Sequence, residues 1–245
     1  MKNYSKTAVA SFVFALIGAL MFTLSGYGYQ WGWWGLGLAF RTLIPGGAIA
    51  AAIALVVVIV YVVRRMRSDK KTKGRWMVIT GAILSLAILG NFGYWYLETQ
   101  KGYPPIHDIT TDTENPPEFE AIVPLRADAP NKTEYGGEEV AKAQKEFYSG
   151  IETLRLDEPP SQAYEKALEA AREKPWEIVA ADKEDLRIEA YHKLPWFGFI
   201  DDVVIRVDTS ENGSKIDVRS VSRLGRGDLG VNAHRIKDYL NSIER

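Results

Sequence analysis

The chain has no cysteine among its 245 residues. That excludes disulfides, thiolate metal sites and thiol catalysis. Histidine is scarce, with His107, His192 and His234 the only three. A further absence is positional. No Asp, Glu, Lys, Arg or His falls within Thr7–Leu24, Leu43–Val63 or Trp76–Leu97, three long apolar runs. Carriers and proton relays place charges inside such segments, so a pump or transporter is disfavoured. No P-loop, dinucleotide fingerprint or nucleophile elbow is present. Ser220 and Ser222 therefore have no context that would activate them.

What is present divides the chain in two. Residues 1–97 carry ten bases against the single acid Asp69, a balance of +9. The remaining residues carry 20 bases and 30 acids, a balance of −10. An acidic second half argues against nucleic acid as a partner, because that binding rests on basic patches. Seven of the bases crowd into Arg64–Arg75 between two apolar runs. Lys and Arg are retained on the cytoplasmic side of a membrane. The spacing predicts three transmembrane helices over 1–97 with this loop inside, and an extracytoplasmic domain over 98–245. In a two-membrane bacterium that places the protein in the inner membrane and the domain in the periplasm. The first run reads as a retained helix rather than a signal peptide, since no small-x-small site closes it.

Residues 26–40 mix Gly with Tyr27, Tyr29, Trp31, Trp33, Trp34 and Phe40. An interfacial loop fits this pattern, and a quinone- or pigment-contacting surface is the alternative. Gly46, Ala50 and Ala54 put small side chains on one face of the second run. That suits close approach of another helix, in the same chain or in a partner membrane protein.

The second half predicts an α+β domain, with a four-stranded antiparallel sheet and about three helices on one face. Four prolines keep 103–119 extended. Helices are expected over Gly137–Leu154, Ser161–Glu173 and Leu229–Ile243 from apolar spacing. Strands are expected over Trp176–Ala181, Leu186–Leu194, Asp202–Thr209 and Ser214–Ser222. Asn212-Gly213 reads as a two-residue type I′ turn. That register sets Arg206 opposite Arg219, Asp208 opposite Asp217 and Asp202 opposite Arg223, on a solvated charged face shared with Glu189 and Tyr191.

Two groups of residues are candidates for chemistry. Arg219, Ser220, Ser222, Arg223, Arg226, Asp228, Asn232 and Arg235 crowd around the start of the last helix, with Asp202 and Arg206 nearby. Guanidiniums beside free helix amides suit an anion or an acidic partner. Helix capping by Asp228 or Asn232 and pairing with Asp201, Asp202 or Asp217 is the structural alternative. Arg219, Arg223 and Asp228 are expected in one connected network. His107, Asp108 and Asp112 are weak metal candidates whose spacing matches no known loop. No cofactor is expected.

The segments DDVVIRV (201–207), IDVRSVSRLGRGDLGVNAHRI (216–236) and IHDITTDTENPPEF (106–119) resemble the DUF1499 family of bacterial and plastid proteins. The likeness covers about 103–244, and a three-helix membrane region before it is frequent in bacterial members. It implies no activity. It matches Arg219, Ser220, Ser222, Arg223, Gly225, Asp228, Gly230, Asn232 and Arg235 to the family motif. Tyr148-Ser149-Gly150 stands where the family often has a Tyr-Pro-Asp step. The resulting expectation is a membrane-anchored binding protein. The alternatives are an accessory subunit of a membrane complex, or a hydrolase or transferase using His107 with Asp108 or Asp112.

Overall fold

The computed structural model describes residues 4–67 and 72–244. Lys2 and residues 68–71 of the basic loop lie outside the described residues. The chain divides into two compact units, residues 1–101 with 196–198, and residues 102–195 with 199–245.

The first unit contains three helices long and apolar enough to cross a membrane. Helix α1 spans Lys6–Gln30, α3 spans Ile44–Met66 and α4 spans Arg75–Thr99. A single turn, α2 (Leu36–Leu38), and a π-helical turn over Ala39–Leu43 run directly into α3. Pro45 explains the wide turn. It has no N–H, and its ring crowds the carbonyl four residues back. The Ile44 N–H reaches Ala39 O, five residues back, instead.

The 26–40 segment is thus mostly helical, not the loop its composition suggests. Gly28 makes room for Trp34: a Cβ there would stand 2.1 Å from Trp34 Cζ2. Trp34 Nε1 in turn donates to Ser25 O at 3.1 Å. The small-residue face of α3 packs on α1 of the same chain. A Cβ on Gly18 would lie 2.9 Å from Gly47 O, and one on Gly47 would lie 3.0 Å from Gly18 O. Backbones meet this closely only where side chains are absent.

The second unit is an α+β domain with a six-stranded antiparallel sheet, two strands more than the sequence suggests. The strands are β1 (Asp108–Thr110), β2 (Leu154–Leu156), β3 (Glu177–Asp182), β4 (Arg187–Lys193), β5 (Ile200–Ser210) and β6 (Gly213–Ser222). Their order is β1-β6-β5-β4-β3, and β2 pairs with β6 beyond the end of β1. Helix α5 covers Gly137–Phe147, α6 Pro160–Arg172 and α7 Val231–Ile243. Helix α5 ends seven residues before the expected Leu154. Gly150 at φ 80 turns the chain, and Leu154–Leu156 becomes β2.

The β5–β6 register differs from expectation by two residues. Ser210 opposes Gly213, so Glu211 and Asn212 form the turn. Gly213 is needed for another reason. Its φ is 148, and a Cβ on it would lie 2.2 Å from Leu156 O. The glycine admits β2. In the true register Arg206 opposes Asp217 and Asp208 opposes Lys215, so opposite charges meet.

The main core lies on one face of the sheet. Ile109, Ile188, Val203, Ile205, Ile216 and Val218 meet Tyr164, Ala167, Ile236 and Tyr239 of α6 and α7. Each large apolar side chain buried here contributes roughly 1.5–3 kcal/mol. Tyr239 is fully buried and donates its hydroxyl to Ala167 O at 2.8 Å.

Candidate functional site

The sheet face away from the helices is charged, and it is not solvated as expected. Residues 112–135 cross it as a strap, with a 3-10 turn at Val123–Arg126. Only Phe119 and Ile122 of the strap join Val204 and Val221 in a small apolar cluster. The remaining attachment is polar.

Side chains alternate along β6, so Asp217, Arg219 and Val221 point to the strap. Arg219 holds Asp108 with both prongs, Nε to Oδ1 at 2.9 Å and Nη2 to Oδ2 at 2.7 Å. It also donates to Pro117 O at 3.1 Å and to Thr133 O at 2.6 Å. Its guanidinium stands over the rings of Phe119 and Tyr135. Burial and Asp108 push the Tyr135 phenol up to about 12. The Tyr135 hydroxyl is buried without a hydrogen-bond partner among the described residues.

Asp202 sits between two arginines. Arg223 reaches it with Nη2 at 2.7 Å and Nε at 3.0 Å, and gives Nη1 to Leu125 O at 2.8 Å. Arg126 Nη1 lies 3.0 Å from Asp202 Oδ2, an ion pair without hydrogen-bond alignment. Burial raises the Asp202 carboxyl above its ordinary value, against the opposing pull of Arg223 and Arg126. Glu189 is equally buried. Its oxygens accept the backbone N–H groups of Glu120, Ala121 and Ile122 at 2.9–3.0 Å. These are amides that the short turn leaves unpaired at its start. Arg206 Nη2 bonds Asp217 at 3.1 Å and Asp112 at 3.3 Å.

The helix side of the same strands carries a second polar group. Arg235 of α7 pairs with Asp201 at 2.6 Å and donates to Ser220 Oγ at 3.0 Å. Ser220 donates to Asn232 Oδ1 at 2.7 Å, and Asn232 Nδ2 donates to Ser222 Oγ at 3.0 Å and to His107 O at 3.1 Å. Asp228 caps α7, accepting from Gly230 N at 2.9 Å and Asn232 N at 2.8 Å. Burial raises its carboxyl above the ordinary value, although those two amides oppose the shift. Burial and the nearby Arg235 lower the His192 imidazole.

Nine of the ten candidate residues thus fall on two sides of one sheet. Asp202, Arg206, Arg219 and Arg223 lie under the strap. Ser220, Ser222, Asp228, Asn232 and Arg235 lie against α7. Arg226 is exposed in the connecting loop. The expected Arg219–Arg223–Asp228 network does not form. Asp228 works at the helix start on the opposite side, and the two arginines hold different carboxylates. The metal candidates are also dispersed. Asp108 is engaged by Arg219, and Asp112 accepts from the N–H groups of Glu114 and Asn115. The His107 carbonyl accepts from Ser222 N.

Sequence reasoning missed Arg126, Asn131 and Gln144. Asn131 ties the strap to Ser222 O and Gly225 O. Gln144 of α5 bonds both backbone groups of Thr110, accepting its N–H at 3.0 Å and donating to its carbonyl at 2.7 Å. Nothing local marks these residues, because their partners lie far along the chain.

An open depression of about 760 Å³ lies between the strap's root and α5. Thr113, Glu114, Tyr135, Glu138, Lys142 and Lys145 are among its lining residues. Lys142 pairs loosely with Glu146 at 3.9 Å. Glu114, Glu138 and Lys145 have no ion pair among the described residues.

A helix-backed antiparallel sheet, strapped on its other face through buried ion pairs and preceded by three membrane-length helices, defines the class of molecule. The particular family follows from the chain itself. Residues 108–243, more than half of the sequence, match the family described as protein of unknown function (DUF1499), and the chain belongs to that family. No individual curated protein matches it.

Proposed function

We propose that the protein is a bacterial inner-membrane protein whose folded domain lies in the periplasm and binds a polar ligand or partner. The binding surface is the depression beside α5. One observation carries the reading. The candidate arginines other than Arg226 are held by carboxylates inside the domain, whereas Glu114, Glu138 and Lys145 have no ion pair among the described residues and line an open concavity. Charges already satisfied have little left to offer a ligand. Unpaired charges of both signs around a hollow suit a polar or zwitterionic group.

The helical unit supports this compartment. Arg64, Arg65, Lys73 and Arg75 gather at one end of the helices. The C-terminal ends of α1 and α4, at the other end, expose Trp31, Tyr94, Trp95 and Tyr96. Bases retained on the inner side and aromatic rings at an interface support an outward-facing domain. A C-terminal alkaline phosphatase fusion is expected to be active, and a green fluorescent protein fusion exported through the Sec route dark. A bright fluorescent fusion would reverse the compartment.

A second reading, an accessory subunit of a membrane complex, draws on Gly90 and Gly93 of α4, which face open space. One experiment separates the two. A photo-crosslinking residue is placed in living cells at Lys145, at Gly93 or at the control site Lys174. Adducts at position 145 alone support binding at the depression. Adducts at position 93 alone favour the subunit. No adduct at either position, or equal adducts at all three, would sink the binding proposal.

A further inference from the structure

We propose that the 3-10 turn of the strap is a preorganised docking knob for a partner protein, which receives it in an apolar pocket rimmed by Lys or Arg. The turn does not line the depression beside α5, so this surface is a second one. The exposed apolar side chains lead there. Among the described residues of the second unit, Val123, Leu125 and Phe147 are the only exposed large apolar side chains. Two of the three belong to this one turn, 43% and 53% exposed, with Pro124 exposed between them. Apolar groups that cluster on a surface mark contact sites, where scattered ones do not.

The turn is fixed from beneath. Ile122 before it and Arg126 at its end are buried. Glu189 accepts the three amides that lead into it, and Arg223 holds the Leu125 carbonyl at 2.8 Å. Arg126 faces Asp202 and donates to Asn131 O at 2.8 Å. Pro124 locks its own φ as well. Buried ion pairs of this kind add little net stability, so what they secure here is the position of the turn. A tip that is already rigid loses little freedom when a pocket closes on it.

Charge decides the occupant. Glu118 and Asp128 are exposed on either side of the turn, and neither has an ion pair among the described residues. Glu120 is neutralised by Arg187. Of the two bases in the strap, Arg126 is buried and Lys132 lies farther along. An apolar tip between two unpaired acids is repelled by an anionic bilayer and by a second copy of itself. It complements an apolar pocket with a basic rim.

The test is made in living cells on the full chain. Benzoylphenylalanine replaces Ala127, beside the turn, so that Val123 and Leu125 stay in place; Lys174 is the control site. Light is expected to join position 127 to a different protein, at least fivefold above the control, through a partner segment in which apolar residues adjoin Lys or Arg. Adding Leu125→Ser, a change on the exposed tip, should lower that yield at least fivefold. Adding Arg223→Lys keeps a charge beside Asp202 but gives up the fork that also reaches Leu125 O. It should lower the yield at least threefold while the tip itself is unaltered. Adducts to lipid alone, to a second copy of the chain or to an acidic partner segment would each overturn the proposal. So would a yield no greater than at position 174, or one that Leu125→Ser leaves unchanged. A yield that falls with Leu125→Ser but not with Arg223→Lys in a folded chain would overturn the preorganisation.

Discussion

Asp202→Ala is expected to destabilise the domain by about 3–5 kcal/mol, the scale for breaking a buried pair on one side. Asp202 is fully buried and is the carboxylate shared by Arg126 and Arg223. Its removal leaves the Arg126 guanidinium, itself 3% exposed, as an uncompensated charge. It also frees Arg223, which anchors the strap at Leu125. Thermal unfolding in micelles, followed through Trp176 fluorescence, should move down by roughly 6–20 °C. Arg226→Ala, on the exposed loop, should stay within about 0.5 kcal/mol of the parent. Replacing Asp202, Arg126 and Arg223 together with apolar residues should recover most of the loss, because no buried charge then remains. A single Asp202→Ala variant as stable as its parent would mean that water reaches this trio.

The second large effect is expected at the hairpin. Gly213→Ala should cost roughly 2–5 kcal/mol, from a backbone conformation that side chains rarely adopt and from overpacking. The added Cβ would meet Leu156 O at 2.2 Å and the Asp157 backbone at 2.9 Å. The neighbouring Asn212→Ala lacks that obstruction and should cost much less. Chemical denaturation of both variants decides between two roles for Gly213. Equal, small effects would mean that the residue serves the turn and not the approach of β2.

The same glycine shows where sequence reasoning stops. Periodicity exposed the long strands, the helices and the three apolar runs, because each repeats its own signal over many residues. Strands β1 and β2 have three residues each and exist only because β6 pairs with them. Asn212-Gly213 has the composition of a tight turn, yet the chain uses Glu211-Asn212. The competing demand came from Leu156, more than fifty residues earlier, which no local pattern records. Resemblance found the motif residues, and alternation along the hairpin sends Arg219 and Ser220 to opposite faces of the sheet, but neither shows what covers each face. The strap was legible only as proline-rich and extended. Its role depends on Arg126 and Asn131 meeting β5 and β6, and nothing near them announces that.

Gln144 has a consequence for how copies of a chain with three membrane-length helices can pack beside one another. A side-chain amide offers one acceptor and one donor in nearly the spacing of a peptide unit. By bonding both backbone groups of Thr110 it occupies a place on the outer margin of β1 that a neighbouring strand would otherwise take. Molecules confined to a bilayer meet at high local concentration and in a common orientation. Those conditions favour strand-to-strand zippering between exposed margins. A glutamine that imitates the next strand removes a nucleation point for such zippering, and it does so without exposing a charged side chain.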